Sequence, residues 1–236
     1  MQSDSLAHQC FEKAAAQGDA EAEAALGFLY AQGRGVPKDL ALAKKWLRLA
    51  VDQGLLSAQH NLGVLLLQEK GSSVEEGMAL LEKAATKGYV ASQYRLGQIY
   101  FSGDFGTTRD YPKAFDWLLK AAQGGDAAAQ NSVGVMYRSG LGVERNLPEA
   151  LKWFQQSAEA GHAAAQGNLG HFYAAGTGVP RDVVAAYKWF KLGQLGGDVG
   201  SANQLAEIAR AVTPAQAQEA ESLVRQYQEK VATVRP

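Results

Sequence analysis

This chain has little of what disulfide-stabilised and nucleic-acid-binding proteins need. Its 236 residues include a single cysteine, Cys10, which cannot form an internal disulfide, so the fold does not depend on an oxidising compartment. Lys and Arg together number 23 against 24 Asp and Glu. Because this balance leaves no excess of positive charge to follow a phosphate backbone, we expect no nucleic-acid partner.

Long hydrophobic runs are also absent from the sequence. The longest apolar stretches, such as "LGVLLL" at residues 62–67, are far shorter than the roughly 20 residues that span a bilayer. The first residues lack the charged-then-apolar pattern of a secretion signal. We therefore expect a soluble protein without membrane insertion, periplasmic if Met1 replaces a cleaved signal and cytoplasmic otherwise.

Motifs of catalysis and metal binding are missing as well. The four histidines, His8, His60, His162 and His171, have no metal-ligand spacing, and no Gly-x-Ser-x-Gly elbow occurs. Acidic residues are scattered, so no pair of carboxylates can be singled out for acid–base work. The sequence predicts no catalytic residue, no metal site and no cofactor.

What the sequence does have is a repeated phrase. The residues "LGFLYAQGRGVPKD", from Leu26 to Asp39, return in variant form at residues 133–146 and 169–182. Leu-Gly or its variant begins at five positions separated by 36, 34, 37 and 36 residues: Leu26, Leu62, Leu96, Val133 and Leu169. A second column keeps step with it, at Trp46, Leu80, Trp117, Trp153 and Trp189. Two columns in step indicate about five tandem units.

Each unit reads as two helices joined by a glycine turn. The first helix is Ala-rich and carries Leu and Tyr four residues apart on one face, as in Leu26 and Tyr30. Glycines three residues after the Tyr suit a chain that leaves a helix in the left-handed conformation, so we interpret them as turns and not as a phosphate cradle. The second helix is predicted to begin at a capping residue seven before the Trp column, at Asp39, Ser73, Asp110, Asn146 and Asp182.

Such units cannot bury their apolar faces alone, so stacking predicts an all-α, right-handed α/α superhelix of about five two-helix repeats with terminal capping helices. We predict a single solenoid domain over residues 1–236. Cys10 lies on the tryptophan column, where we expect a buried, inert thiol, and Thr213 with Pro214 starts a polar C-terminal helix. The predicted segments are a partial repeat at 5–18, full repeats at 19–54, 55–88, 89–125, 126–161 and 162–197, and a cap at 198–232.

The repeated pattern resembles the Sel-one-like repeat (SLR) family, a relative of the tetratricopeptide repeat. Its Leu-Gly-x-x-Tyr, Gly-x-Gly-Val-x-x-Asp and Ala-x-x-Trp-x-x-x-Ala-Ala-x-x-Gly elements are almost complete in residues 22–54, 129–161 and 165–197. The resemblance covers roughly residues 10–232. It implies a bacterial or eukaryotic adaptor that binds other proteins in signalling, envelope or secretion processes, and not an enzyme.

Counting as in tetratricopeptide repeats, the inner face receives first-helix positions two before, two after and five after the conserved Leu. We expect a protein or peptide partner to bind in this concave groove. The candidate contacts are Phe28, His60, Val64, Tyr94, Gln98, Phe101, Asn131, Val135, Arg138, His171, Asn203, Glu207 and Arg210, and the same positions include Ala24, Ala31, Leu67, Gly167 and Ala174.

Two alternatives remain open beside this adaptor. One is an immunity or inhibitor protein that neutralises a secreted bacterial toxin or effector. The other is an enzyme that acts on cell-wall or β-lactam substrates, since some cysteine-rich members of the resembled family have been described in those terms. The regular cysteine pairs of those members are absent from this chain, which removes the main support for the enzyme.

Overall fold

The fold is described from a computed structural model, which covers residues 2–69, 71 and 73–234. These described residues form thirteen α-helices and no strand, which confirms the predicted all-α class and its two-helix units. The helices are α1 (Gln2–Ala15), α2 (Ala20–Gln32), α3 (Leu40–Asp52), α4 (Leu56–Glu69), α5 (Ser73–Thr86), α6 (Val90–Ser102), α7 (Tyr111–Gln123), α8 (Ala127–Ser139), α9 (Leu147–Glu159), α10 (Ala163–Ala175), α11 (Val183–Leu195), α12 (Val199–Ile208) and α13 (Pro214–Val234).

The second helix of a repeat starts where an Asp or Asn side chain replaces a missing backbone partner. Asp39 Oδ1 accepts hydrogen bonds from the backbone N–H of Ala41 and Leu42, both at 2.9 Å. Asn146 and Asp182 accept in the same way at the starts of α9 and α11, which confirms three predicted caps. Two other helices begin next to their predicted cap: α7 directly after Asp110, and α5 at Ser73 itself.

The first helix of a repeat ends at a left-handed glycine. Gly33 has φ of 70°, and its N–H donates to the Leu29 carbonyl. Gly140 and Gly176 repeat this geometry at the ends of α8 and α10, with φ of 67° and 69°. A residue with a side chain is strained at such angles, so the glycines of the recurring phrase serve as turns, as predicted.

The two helices of a repeat approach most closely at the glycine of the Leu-Gly pair. A Cβ built on Gly27 of α2 would lie 2.6 Å from Leu47 Cγ of α3. In α8 the same position, Gly134, would place a Cβ 2.8 Å from the Phe154 ring of α9. The missing side chain is therefore what admits the large apolar residue, and both Leu47 and Phe154 are buried.

The chain divides into two compact units, Met1–Asp110 and Tyr111–Pro236. The first contains α1 to α6 and the second α7 to α13, so the division falls inside the third predicted repeat. In the first unit Leu47 and Leu62 belong to one core cluster, and in the second Leu169 and Trp189 share another. That residues 1–236 form a single domain stays a prediction.

The C-terminal helix begins as predicted and packs on the last full repeat. Thr213 Oγ1 accepts from the Gln216 N–H, and α13 starts at Pro214. In the second unit α13 packs on α11, the second helix of the fifth repeat, and Val224 joins the cluster around Trp189. α13 therefore covers the second helix of the last full repeat, where Trp189 offers aromatic surface.

The expectation for Cys10 was wrong, because its thiol is exposed. Two tryptophans of this column pack against the preceding second helix: Trp46 lies in the cluster with Ala15 of α1, and Trp189 in the cluster with Ala158 of α9. Cys10 lies on α1, which packs on α2. Among the described residues no second helix precedes α1, so its tryptophan-column position stays open.

Candidate partner-binding site

The first unit carries a groove on the predicted face. Phe28 of α2 is 41% exposed and Leu40 of α3 is 37% exposed. Together with Val64 of α4 they border a groove of about 310 Å³. Its lining is completed by Ala31, Gln32, Lys38, Leu47, His60, Asn61, Leu65 and Gln68. The structure thus brings Phe28, His60 and Val64 together, as three of the predicted contacts.

His60 forms the polar end of this groove. Its Nδ1 lies 3.0 Å from Ser92 Oγ of α6, and its ring centroid lies 5.5 Å from that of Tyr89. Burial lowers the pKa of His60, and the positive charge of Arg95 lowers it further. A neutral imidazole is therefore favoured, and it offers a hydrogen bond to a partner without a charge.

Lys38 supplies positive charge at the border of the groove. Among the described residues that line the groove, none is acidic. Within the described residues no carboxylate lies within ion-pair distance of the Lys38 ammonium. An apolar side chain with a neighbouring carboxylate is therefore the complement of this surface.

The α6 candidates lie outside the groove lining. Gln98 is exposed, and its Oε1 accepts a 3.4 Å hydrogen bond from Arg95 Nη1. Tyr94 and Phe101 are half-buried. These three therefore share the predicted helix, but their part in binding stays a prediction.

In the second unit a polar network joins two first helices. Arg138 Nη1 of α8 donates to Asn168 Oδ1 of α10 at 2.9 Å, and Asn168 Nδ2 donates to Asn131 Oδ1 at 2.9 Å. The Arg138 guanidinium also lies 5.7 Å from the centroid of Phe154. Two predicted contacts, Asn131 and Arg138, are thus linked through Asn168, a residue that the sequence analysis did not select.

The remaining second-unit candidates differ in exposure. Val135 is half-buried and packs against the cluster containing Phe154 and Phe172. His171 is exposed, with its ring 5.1 Å from Phe190; partial burial lowers its pKa, Arg138 lowers it further, and Asp198 and Glu207 oppose this. The exposed candidates of α12 and the segment after it are Asn203, Glu207 and Arg210.

Not every position of the predicted face reaches the surface. Ala24, Leu67 and Gly167 are buried, because these positions lie in contacts between neighbouring helices. Conversely, Lys38 and Leu40 line the groove although the prediction drew only on first helices. The residue after most caps is apolar, as at Leu40, Leu147 and Val183, and this signal could have revealed Leu40.

The described residues contain no group of three or more His, Cys, Asp and Glu side chains that could hold a metal ion. In the same part of the chain, no helix is both long and apolar enough to cross a membrane.

Comparison with known proteins gives one family over nearly the whole chain. The Sel1 repeat matches residues 1–19, 20–55, 56–89, 90–126, 127–162 and 163–193. Each full repeat begins one residue later than the sequence analysis predicted. The ERAD-associated E3 ubiquitin-protein ligase component HRD3A of Arabidopsis thaliana is 31% identical over 152 residues, which are 58% of this chain. The chain spans about a fifth of the length of the curated relatives it matches, 22% for HRD3A.

Solved structures share the fold. A Sel1 repeat protein from Oxalobacter formigenes is 27% identical with a TM-score of 0.74, and the match covers 96% of this chain and 95% of that one. The immunity protein Pa5087 from Pseudomonas aeruginosa is 22% identical with a TM-score of 0.54, covering 82% and 75%, a likeness of fold alone. With repeat matches over most of its length, this chain belongs to the Sel1 repeat family.

Proposed function

We propose that this chain is a non-catalytic protein-interaction adaptor that binds a segment of a partner protein in the concave groove formed by its first helices. Sel1 repeat proteins are generally adaptors, and HRD3A is named as a component of a ubiquitin-protein ligase. A tandem-repeat surface offers side chains at regular intervals, which suits an extended segment.

The observation that carries the proposal is the groove between Phe28, Leu40 and Val64. Exposed large apolar side chains around a concavity are typical of binding surfaces. Among the described residues of the lining, Lys38 is the charged one. The partner segment should therefore place a large apolar side chain in the groove with an Asp or Glu within the next two residues.

A positional-scanning peptide library displayed against the full chain tests this proposal. We expect selected peptides to combine a large apolar residue with a nearby acid. Phe28→Ala should weaken their binding about tenfold or more, because a central apolar anchor commonly contributes that much to an interface. Lys38→Gln should weaken only the peptides that carry the acid, since electrostatic pairing distinguishes them.

Leu49→Ala is the matched control, because Leu49 is 40% exposed on α3 but does not line the groove. It should leave the peptide affinity unchanged. Equal losses for Phe28→Ala and Leu49→Ala, or selected peptides without apolar residues, would contradict the proposal. Tyr94→Ala, Phe101→Ala and Arg138→Ala extend the test to the other predicted contacts, and unchanged binding by all three would confine the site to the groove.

The two alternatives stay predictions with their own tests. An immunity protein would bind one toxin tightly in a one-to-one complex, and the absence of a toxin gene beside this one would count against it. A cell-wall or β-lactam enzyme would hydrolyse a nitrocefin-type substrate, and we expect no turnover.

A further inference from the structure

A second concavity lies away from the first-helix face. Within the second unit, α13, α11 and the end of α9 border a half-open cavity of about 480 Å³. This volume falls in the range of small-molecule sites. Its lining residues are Glu159, Ala160, Lys188, Trp189, Leu223, Gln226, Tyr227, Lys230 and Val231.

Aromatic rings make one wall of this cavity rigid. The Trp189 and Tyr227 rings meet edge to face with centroids 5.9 Å apart. The Tyr227 hydroxyl donates to the carbonyl of Ala158 at 3.0 Å and lies 3.2 Å from that of Glu159, which fixes α13 over the end of α9. Trp189 is buried among Ala158, Ala165 and Leu169. The wall is therefore formed before any ligand arrives.

A partly buried ammonium group stands over this wall. Lys188 Nζ lies 4.3 Å from the centroid of the Trp189 ring and 5.9 Å from that of Tyr227. Burial lowers the pKa of Lys188; Glu159 opposes the shift and Lys230 adds to it. In the described part of the chain, Lys188 has neither an ion pair nor a hydrogen bond to an acceptor. Within the described residues its ammonium thus has no carboxylate at ion-pair distance, and an anion in the cavity would supply one.

The charges of the lining indicate the charge of that anion. Among the described residues of the lining, two lysines, Lys188 and Lys230, accompany one carboxylate, Glu159, which leaves one positive charge to be matched. The apolar lining, chiefly Trp189, Leu223 and Val231, suits a hydrocarbon body. We infer that this cavity is a binding site for a small organic monocarboxylate with an apolar body, its carboxylate at Lys188 and its body against Trp189 and Leu223.

Titration of the full chain with 4-phenylbutyrate, followed through the indole N–H resonances of the four tryptophans, tests this inference. Trp189→Phe identifies the resonance of Trp189. We expect that resonance to move with a dissociation constant of about 1 mM, a magnitude in keeping with so small a probe. The neutral amide, 4-phenylbutyramide, should bind about tenfold more weakly, because it cannot form the charge-assisted hydrogen bond.

Lys188→Gln should weaken 4-phenylbutyrate about tenfold, and Lys230→Gln should weaken it by less because Lys230 is exposed. The matched control is Lys120→Gln: Lys120 Nζ also lies 4.3 Å from a tryptophan ring, that of Trp117, but outside this cavity. It should leave the affinity unchanged.

Three results would overturn the inference. The Trp189 resonance could fail to move at up to about ten times the expected dissociation constant. Alternatively, the amide could bind as well as the acid, or Lys120→Gln could weaken binding as much as Lys188→Gln. A blocked Phe-Glu dipeptide could also bind more tightly than 4-phenylbutyrate. That result would indicate that the cavity binds side chains of a partner protein, and it would overturn the assignment to a free acid.

Discussion

The Phe190 ring of α11 lies directly against Gly170 of α10. A Cβ built on Gly170 would be 2.7 Å from Phe190 Cδ1 and 2.8 Å from Cε1. Phe190 is fully buried in the cluster that also contains Ala186 and Leu205. The glycine and the aromatic residue therefore fit as one contact, and the Leu-Gly column exists because the second helix needs that space.

We expect Gly170→Ala to lower the free energy of unfolding by about 1–3 kcal/mol, the usual cost of overpacking a well-filled core. Urea denaturation of the full chain measures the change. Gly200→Ala is the control, because Gly200 lies in α12 with its nearest neighbour, Asp198 Oδ2, at 3.4 Å from an added Cβ. There the better helix propensity of Ala should leave stability unchanged or slightly raised. Equal effects of the two substitutions would show that the Gly170 contact is not tight.

These contacts explain why so much of the fold could be read from the sequence. The same helix–helix contact recurs in successive repeats. Gly27, Gly134 and Gly170 are therefore each followed, at the same spacing in the sequence, by the Leu or Phe that packs against them. Caps such as Asp39 and Asp182 depend on residues two or three positions away and are equally local. The exposure of Cys10 could not be predicted in this way, because it depends on whether another helix covers α1.

The ion pair between Arg48 and Glu76 joins second helices of successive repeats. Arg48 Nη1 donates to Glu76 Oε1 at 2.6 Å and Nη2 to Oε2 at 3.2 Å, but the side chains are 52% and 43% exposed. We expect Glu76→Gln to cost less than about 1 kcal/mol in unfolding free energy, because solvent screens exposed pairs. Hydrogen bonding to Arg48 lowers the pKa of Glu76, so the contribution is present above about pH 4.5 and is lost on acidification.

Urea denaturation at pH 7 in low and high salt measures this contribution. The difference between the parent chain and Glu76→Gln should shrink as salt rises. Asp116→Asn serves as control, since Asp116 is an exposed acid of α7, another second helix. A loss of several kcal/mol for Glu76→Gln would mean that this pair is far better shielded than its exposure indicates.

Tyr227 ties α13 to the end of α9 through its hydroxyl. Tyr227→Phe removes the 3.0 Å hydrogen bond to the Ala158 carbonyl but keeps the ring contact with Trp189. We expect a loss of about 1 kcal/mol in unfolding free energy, the typical net contribution of such a bond. Relative to the parent chain, Tyr227→Phe should speed amide hydrogen exchange in α13 more than in α10.

Tyr173→Phe is the matched control for this substitution. Tyr173 packs in the same core cluster, and among the described residues its hydroxyl has no hydrogen-bond partner. Removal of the Tyr173 hydroxyl should change the free energy of unfolding by no more than a few tenths of a kcal/mol. If both variants lose the same amount, the hydroxyl of Tyr227 does not hold α13.

The candidate sites were only partly visible in the sequence. Phe28, His60 and Val64 followed from repeat positions, because a helix face keeps its period. The cavity beside Trp189 could not be predicted from repeat positions, because α13 departs from the repeat pattern. The position of α13 on α11 depends on packing between residues far apart in the sequence. Asn168 was missed because it lies next to the conserved Leu169, a position that the face rule leaves out.

Acid should weaken the fold through His60. Burial, aided by Arg95, lowers its pKa from the ordinary value of 6.5, so below pH 6.5 the unfolded chain binds protons that the folded chain does not. Stability should therefore fall as the pH drops from 7.5 to 5.5. His60→Gln should reduce this fall, whereas Ser92→Ala, which removes the hydrogen-bond partner and keeps the histidine, should retain most of it. Urea denaturation of the three chains at both pH values measures the effect, and an equal fall in the parent and His60→Gln would exclude His60 as its source.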